Sequence, residues 1–202
     1  MAVSRRALFL DKDGTLIEDV PHNVDPTRIV LVDGAREALS AARAAGFMIV
    51  VVSNQPGVAR GRFALEALDA VEARLRELVD LDAVRWCPHH ADGTVARYAV
   101  ACSCRKPAAG LLTNAASELD LDLAGSWMVG DILDDVEAGR RAGCRTVLVD
   151  RGGETEWRWS VDRVPDVIAP DLPSAIGWIL GADAAATRWR AIGRAGRERV
   201  SA

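Results

Sequence analysis

The sequence lacks any long hydrophobic run. No stretch approaches the roughly 18 uninterrupted apolar residues that a membrane-spanning helix needs, and residues 7–10 are too few to form the apolar region of a secretion signal. An excess of positive charge is also missing, because the formal net charge is −4, which argues against a nucleic-acid-binding protein. We therefore expect a cytoplasmic protein with no membrane or nucleic-acid partner. We also expect a monomer, although composition does not bear on this.

Lysine and cysteine are both scarce. Only two of the 25 basic residues are lysine, Lys12 and Lys106. In a chain that otherwise uses arginine, a lysine suggests a site that needs a compact ammonium group. Three of the four cysteines lie between residues 87 and 104, close to a histidine. In a cytosolic protein this spacing favours a metal site over a set of disulfides.

The arginines concentrate at the C-terminus. Residues 183–202 hold five of them, at positions 188, 190, 194, 197 and 199, against only two acidic residues. We interpret residues 181–202 as a basic tail, and a solvated helix is favoured over an arm that binds a partner.

Apolar patterning alternates between strand and helix along the chain. Residues 47–52 form a continuous apolar run rich in β-branched residues, as expected for a strand buried on both faces of a parallel sheet. This alternation predicts a parallel α/β sheet with right-handed crossovers, in one domain over residues 1–180. The predicted strands are 7–10, 47–52, 83–86, 127–129, 146–149 and 167–169, and the predicted helices are 33–46, 64–79, 109–119, 134–142 and 173–180.

Two carboxylates, Asp11 and Asp13, follow the first predicted strand and precede a glycine. Residues i and i+2 of a strand point to the same side, so these side chains can hold a hard cation and attack phosphorus. Taken alone, the pair could also be a polar turn that closes the strand.

Other predicted strand ends carry residues that could join this pair. Ser53 follows the second strand and Asp131 follows the fourth, while Lys106 comes from the cysteine-rich segment. Ligands of open parallel sheets bind at the carboxyl ends of strands. Clustered carboxylates suit Mg²⁺, and a serine and a lysine can hold a phosphoryl group. The set predicts phosphoryl transfer through an aspartyl-phosphate on Asp11, with Asp13 as general acid and base.

These residues resemble the haloacid-dehalogenase-like (HAD) superfamily, and the resemblance covers about residues 7–150. It implies a Rossmann-like, three-layer parallel sheet without a large cap domain, and a catalytic Mg²⁺. The four matching motifs, in order, are residues 11–15 (DKDGT), Ser53 with Asn54, Lys106, and residues 130–135 (GDILDD).

The resemblance also implies a role for each matching residue. It makes Asp11 the nucleophile and Asp13 the acid and base, and it assigns the phosphate to Ser53 and Lys106. The implied metal ligands are Asp11, Asp13 and Asp131, with Asp135 in a supporting position.

Residues 87–107 show neither helical nor strand periodicity, but they hold Cys87, His89, Cys102 and Cys104. Three thiolates and one imidazole suit a tetrahedral zinc ion, and with all four positions filled by protein the zinc would be structural. Buried thiols without a metal are the alternative. The zinc would stiffen a loop that lacks a core, and would thereby position the Arg105–Lys106 pair.

This insert narrows the resemblance to the heptose-bisphosphate and histidinol-phosphate phosphatases, as does the segment 53–61. The long gap between His89 and Cys102 is more similar to the heptose 1,7-bisphosphate 7-phosphatases. Two departures are Ile132, where those enzymes usually carry lysine, and Pro56, where serine is usual. The implied substrate contacts are Asp19, His22, Asn54, Gln55, Arg105 and Lys106.

The resulting expectation is a Mg²⁺-dependent phosphatase of carbohydrate metabolism that acts on a small phosphorylated metabolite. Its expected reaction removes the 7-phosphate of D-glycero-D-manno-heptose 1,7-bisphosphate, a step of heptose biosynthesis. The alternative substrates are histidinol phosphate and a different small sugar phosphate. A phosphotransferase or mutase is disfavoured because it would need a lid to keep water from the aspartyl-phosphate. From another class, a non-catalytic interaction module stabilised by zinc stays open.

Overall fold

The computed structural model describes residues 5–185 of the chain. Its centre is a parallel sheet of six strands, in the order β3-β2-β1-β4-β5-β6. Each strand lies within two residues of its predicted position. The strands are β1 (Arg6–Leu10), β2 (Phe47–Asn54), β3 (Ala83–Cys87), β4 (Trp127–Gly130), β5 (Arg145–Val149) and β6 (Val167–Ala169).

Helices connect the strands as predicted, with differences at their ends. A short helix at residues 56–59 was not predicted, and the next helix begins at Ala67 rather than at residue 64. The helices are α1 (Ala35–Ala44), α2 (Pro56–Ala59), α3 (Ala67–Leu78), α4 (Gly110–Leu119), α5 (Leu133–Ala142) and α6, which is helical from 172 to the last described residue, 185.

The final helix changes the predicted boundary of the tail. The sequence pattern predicted that it ends at residue 180, but residues 181–185 continue it. Arg6 pairs with Asp183, so this part of the predicted tail packs against the start of β1. The five arginines of the tail lie outside the described residues.

The sheet separates two apolar layers. Leu8 and Leu10 of β1 face a core that helices α1, α3 and α6 cover, whereas Ala7 and Phe9 face a second core under α4 and α5. This is the alternation expected when successive strand residues point to opposite faces. The observed architecture is the predicted three-layer α/β sheet.

Strand order reverses at β1, which lies between β2 and β4. The connections therefore diverge at its carboxyl end and leave an opening, which is where ligands bind in sheets of this kind. Asp11 is the first residue beyond β1, and its amide donates to the Val129 carbonyl of β4 at 2.9 Å. The nucleophile candidate is therefore fixed at the switch point by the sheet itself.

Two of the segments that leave the sheet on the site side are long loops. Residues 11–34 contain only one turn of 3-10 helix, at Pro26–Arg28, and residues 88–109 contain neither helix nor strand. No separate cap domain is present among residues 5–185. None of the helices in this part of the chain has the length and apolar character needed to cross a membrane.

Candidate active site

Asp11 and Lys106 form the centre of the cluster at the switch point. The Lys106 ammonium lies 2.5 Å from Asp11 Oδ1 and 2.5 Å from Asp135 Oδ1, and it donates to the Val52 carbonyl at 3.0 Å. Only 2% of Lys106 is exposed. Burial alone would lower the pKa of this lysine, but the charges of Asp11 and Asp135 outweigh it and raise the pKa above its ordinary value. Lys106 therefore supplies a permanent positive charge beside Asp11.

One lysine does not neutralise the carboxylates around it. Asp11, Asp131 and Asp135 each offer an oxygen within 4.8 Å of the others. Burial, together with neighbouring carboxylates, raises the pKa of Asp11 to about 7 and that of Asp131 to about 8, although Lys106 opposes both shifts. The site therefore binds protons near neutral pH unless another cation replaces them.

The residues present fit Mg²⁺. The group is hard, all its donors are oxygens, and it carries more negative charge than Lys106 balances, as a site for this ion requires. Since Asp135 is already paired with Lys106 and also accepts from the Ile132 amide at 3.3 Å, Asp11 and Asp131 are the carboxylates that would hold the metal. Mg²⁺ would supply the positive charge that lets a phosphate approach Asp11.

We expect the affinity for Mg²⁺ to rise at least about tenfold between pH 6 and pH 8, because protons compete for the raised carboxyls. Binding near pH 6 should release protons, which calorimetry in buffers of different ionisation enthalpy measures. The folded, metal-free protein holds these protons when the unfolded chain does not. Its stability should therefore fall as the pH rises from about 4 to about 8. Proton release that does not change with pH would contradict this account.

Asp13 belongs to a different group of contacts. Its Oδ1 pairs with Lys12, and its Oδ2 accepts from Gln55 Nε2 at 3.1 Å. The same Gln55 nitrogen lies 2.9 Å from Ser53 Oγ. Gln55 thus links the proposed acid and base to the proposed phosphate ligand. The contribution of Asp13 to metal binding stays a prediction, because its carboxylate is outside the Asp11 cluster.

Asn54 holds the backbone of Lys106 in place. Its Nδ2 donates to the Lys106 carbonyl at 3.0 Å, and its Oδ1 accepts from the Lys106 amide at 3.0 Å. Both ends of the amide are therefore engaged within the protein, so the side chain acts on the site by positioning the lysine. Arg105, half-buried, extends back over the insert toward the His89 carbonyl, 3.5 Å from its Nη1.

The four predicted zinc ligands converge. All four cysteines are free, and the Sγ atoms of Cys87, Cys102 and Cys104 are 3.1–3.6 Å apart. His89 Nδ1 lies 3.4 Å from Cys104 Sγ and 3.8 Å from Cys87 Sγ. A tetrahedron with zinc–sulfur bonds of about 2.3 Å has edges of about 3.8 Å, so the donor set fits zinc.

Asp19 and His22 lie over the Asp13 side of the site. They line a cavity of about 200 Å³ together with Asp13, Asn54 and Gln55. His22 has a φ of 56°, in the left-handed region that non-glycine residues seldom adopt, at a turn closed by the Asn23 amide and the Val20 carbonyl. Four of the six predicted substrate contacts thus share one cavity with the proposed acid and base, whereas Arg105 and Lys106 do not line it.

The second wall of the site was not predicted. A cavity of about 270 Å³ on the Asp131 side is lined by Glu18, Arg151 and Gly153 among others. Close backbone approach explains two glycines here: a Cβ on Gly14 would lie 2.3 Å from Asp131 Oδ2, and one on Gly153 would lie 2.1 Å from it. The consecutive glycines at 152 and 153 are the signal in the sequence that could have marked this loop.

Comparisons with known proteins agree on one family. A HAD-hydrolase-like family model matches residues 103–175. The D-glycero-beta-D-manno-heptose-1,7-bisphosphate 7-phosphatase of Yersinia pestis is 38% identical over 184 residues, 87% of this chain and 97% of that protein.

Two solved structures resemble the fold as well. A HAD-like phosphatase candidate from Mesorhizobium loti has a TM-score of 0.73 and 37% identity, with 87% of each chain covered. The D,D-heptose 1,7-bisphosphate phosphatase of B. bronchiseptica, solved with magnesium and phosphate, has a TM-score of 0.71 and 29% identity, over 88% of this chain and 99% of that one.

Proposed function

Because this chain belongs to the HAD-like hydrolase family, we propose that it removes the 7-phosphate of D-glycero-D-manno-heptose 1,7-bisphosphate in a Mg²⁺-dependent reaction. The observation that carries the proposal is the buried Asp11–Lys106–Asp131 cluster at the switch point of the sheet. The substrate comes from the Yersinia relative, which this chain matches over 97% of its length and whose name specifies the beta anomer.

In the first step an Asp11 oxygen attacks phosphorus while the bond from phosphorus to the sugar oxygen breaks. Asp13 gives its proton to the departing sugar oxygen. Lys106 and Ser53 bind the phosphoryl oxygens as their charge redistributes. The product of this step is a phosphate ester of the Asp11 carboxyl, which is more reactive toward water than the sugar phosphate.

In the second step Asp13, now ionised, takes a proton from a water molecule that attacks phosphorus. The bond between Asp11 and phosphorus breaks, inorganic phosphate leaves, and both carboxyls return to their starting states. Gln55 and Lys12 hold the Asp13 carboxylate by one oxygen each, so its orientation is set before substrate arrives. These contacts support Asp13 as the residue that moves protons.

Substrate choice would depend on the segments that line the Asp13 cavity. Asp19 and His22 line this cavity from the loop after β1, and Gln55 and Pro56 line it from the end of β2. Arg105, in the zinc insert, remains a proposed substrate contact beside it. Ile132, half-buried, offers no charge on the opposite side. Residue 132 therefore supplies no positive charge to the second phosphate of the substrate, which must be bound by cationic side chains elsewhere.

Two further properties belong to the proposal. Thiolate ligands such as Cys102 persist in a reducing compartment, which supports a cytoplasmic location. A monomer is also proposed, and gel filtration of the purified protein tests it. The relatives of this chain are named as phosphatases, which argues against a non-catalytic module stabilised by zinc.

The test is phosphate release from the heptose bisphosphate and from histidinol phosphate, side by side, with and without Mg²⁺. We expect kcat/KM for the bisphosphate to be at least about 100-fold higher than for histidinol phosphate. A site that binds the second phosphate rejects a ligand that lacks it. A preference for histidinol phosphate would overturn the substrate. Turnover that persists without Mg²⁺ in metal-free buffer would overturn the mechanism.

A further inference from the structure

Glu154 closes the N-terminus of α5, the helix that follows Asp131. The first amides of a helix have no partner within it, and the residue at the cap position here is Ile132, whose side chain accepts no hydrogen bond. Asp135 accepts from the Ile132 amide at 3.3 Å. Glu154 Oε2, from the loop after β5, accepts from the Leu133 amide at 2.8 Å. One carboxylate from within the helix and one from a distant loop thus cap it.

The same carboxylate folds its own loop. Glu154 Oε1 accepts from the Glu156 amide, two residues further along, at 2.6 Å. Both oxygens are therefore engaged, one by the helix and one by the loop. The loop cannot move away from α5 without breaking the contact at Leu133.

This arrangement brings the loop against the metal-binding carboxylate. Gly153 directly precedes Glu154, and a Cβ on it would lie 2.1 Å from Asp131 Oδ2. Gly14 approaches the same oxygen from the loop after β1, and the Thr15 hydroxyl lies 3.5 Å from Asp131 Oδ1. Asp131 is therefore enclosed by two loops, and Glu154 holds one of them.

We propose that Glu154 is a positioning residue for Mg²⁺, which acts by holding Gly153 against Asp131 and by fixing the backbone that leaves Asp131 at Leu133. The inference rests on the proposed function, since it assigns the metal to Asp11 and Asp131. It concerns how tightly the ion is held, and it does not depend on which sugar phosphate is hydrolysed. Removal of a group that orients a metal ligand typically weakens metal binding by about 10- to 100-fold.

The test uses the full, zinc-loaded chain and Mg²⁺ alone, without substrate. The rise in unfolding temperature with Mg²⁺ concentration gives the affinity, because an ion that binds only the folded state stabilises it by an amount set by the ratio of its concentration to its Kd. We expect Glu154→Ala to need about tenfold more Mg²⁺ for the same rise. Glu154→Gln should recover part of this loss, because its amide oxygen can still accept from the Leu133 amide.

Glu156→Gln is the matched control. Glu156 is in the same loop, and its exposed carboxylate pairs only with the equally exposed Arg158 in the set of described ion pairs. We expect it to match the wild type. A second variant, Gly153→Ala, places a methyl group against Asp131 and should weaken Mg²⁺ binding while leaving Glu154 intact.

Other outcomes would overturn the inference. If Glu154→Ala lowers the unfolding temperature without Mg²⁺ but leaves the Mg²⁺-dependent rise unchanged, the residue is only a helix cap. If Glu154→Gln is as impaired as Glu154→Ala, the hydrogen bond to Leu133 is not the cause. Because no substrate is present, these results stay separate from those that would refute the phosphatase reaction.

Discussion

Asp11→Asn should abolish turnover while leaving the protein folded. The substitution replaces the proposed nucleophile by an amide of nearly the same shape, and removal of a covalent nucleophile costs at least about 10³-fold in kcat. The loss should be the same for every phosphate ester that the wild type hydrolyses. Phosphate release in a single turnover, with enzyme in excess, measures the chemical step directly.

The fold should survive because burial and neighbouring carboxylates make the negative charge of Asp11 unfavourable in the metal-free protein. Burial raises the pKa of its carboxyl to about 7, so near neutral pH its ionised form is much less favoured than that of an exposed aspartate. A neutral amide relieves this cost, and Lys106 keeps its contacts with Asp135 and the Val52 carbonyl. We expect an unfolding temperature equal to or above that of the wild type when Mg²⁺ is absent.

Asp80→Asn provides the control for Asp11→Asn. The Asp80 carboxylate is 78% exposed and pairs with Arg43 on the surface. The same chemical change at that position should leave both activity and stability close to the wild type, since exposed ion pairs contribute little. Wild-type activity in Asp11→Asn would refute the assignment of the nucleophile.

Cys102→Ser should release the zinc and destabilise the protein. A serine hydroxyl stays protonated at neutral pH and is a poor zinc ligand, so the set Cys87–His89–Cys104 would hold the ion weakly. Structural zinc supplies folding free energy, on the order of 10 kcal/mol in small zinc domains. In a chain with a large separate core we expect part of this, a fall in unfolding temperature of roughly 10 °C or more.

The chemistry of molecules that stay folded should change less than their stability. Lys106 is held from the sheet side by Asn54 and Asp135, which do not depend on the insert's metal. Zinc content by mass spectrometry, unfolding temperature and activity per folded molecule together make the test. A stable Cys102→Ser protein with one zinc per chain would contradict the ligand assignment.

Cys144→Ser is the control for Cys102→Ser. It shows how much stability is lost when a cysteine thiol is removed without loss of zinc. Cys144 is buried and free, and it lies in the core under α4 and α5, away from the insert. Burial, together with the nearby Asp122 carboxylate, raises the pKa of its thiol to about 12, so this cysteine stays a neutral thiol. This variant should keep its zinc and lose only the modest stability that one buried thiol contributes.

Much of the fold could be predicted because local patterns agree with the tertiary structure. Residues 47–52 are apolar without interruption, and the strand they form is buried on both faces. Gly34 and Gly143 border helices at the predicted places. The helix at Pro56–Ala59 was missed because four residues are too few to show a helical period. Charge composition marked residue 181 as a boundary, but it carries no information about where α6 packs.

The site was predictable where strand ends carry its residues. Asp11 and Asp131 directly follow strands, and Ser53 is the last residue but one of β2, so an ordered set of parallel strands brings them to one edge. The contacts that orient these residues were not predictable in the same way. Glu154 reaches Leu133 across 21 positions, and no local pattern indicates that pairing.

The zinc insert is attached at the margin of the sheet. The insert begins at the end of β3, which is an edge strand of the sheet. The four metal ligands lie near the two ends of the insert and bring these ends together. Between them, the amides of Thr94 and Val95 donate to the Ala59 carbonyl, so the loop rests on the surface of α2. Residues 90–101 can therefore change in length or sequence without disturbing the strands beneath Asp11. This surface loop can therefore diverge between relatives while the groups that carry out the reaction stay the same.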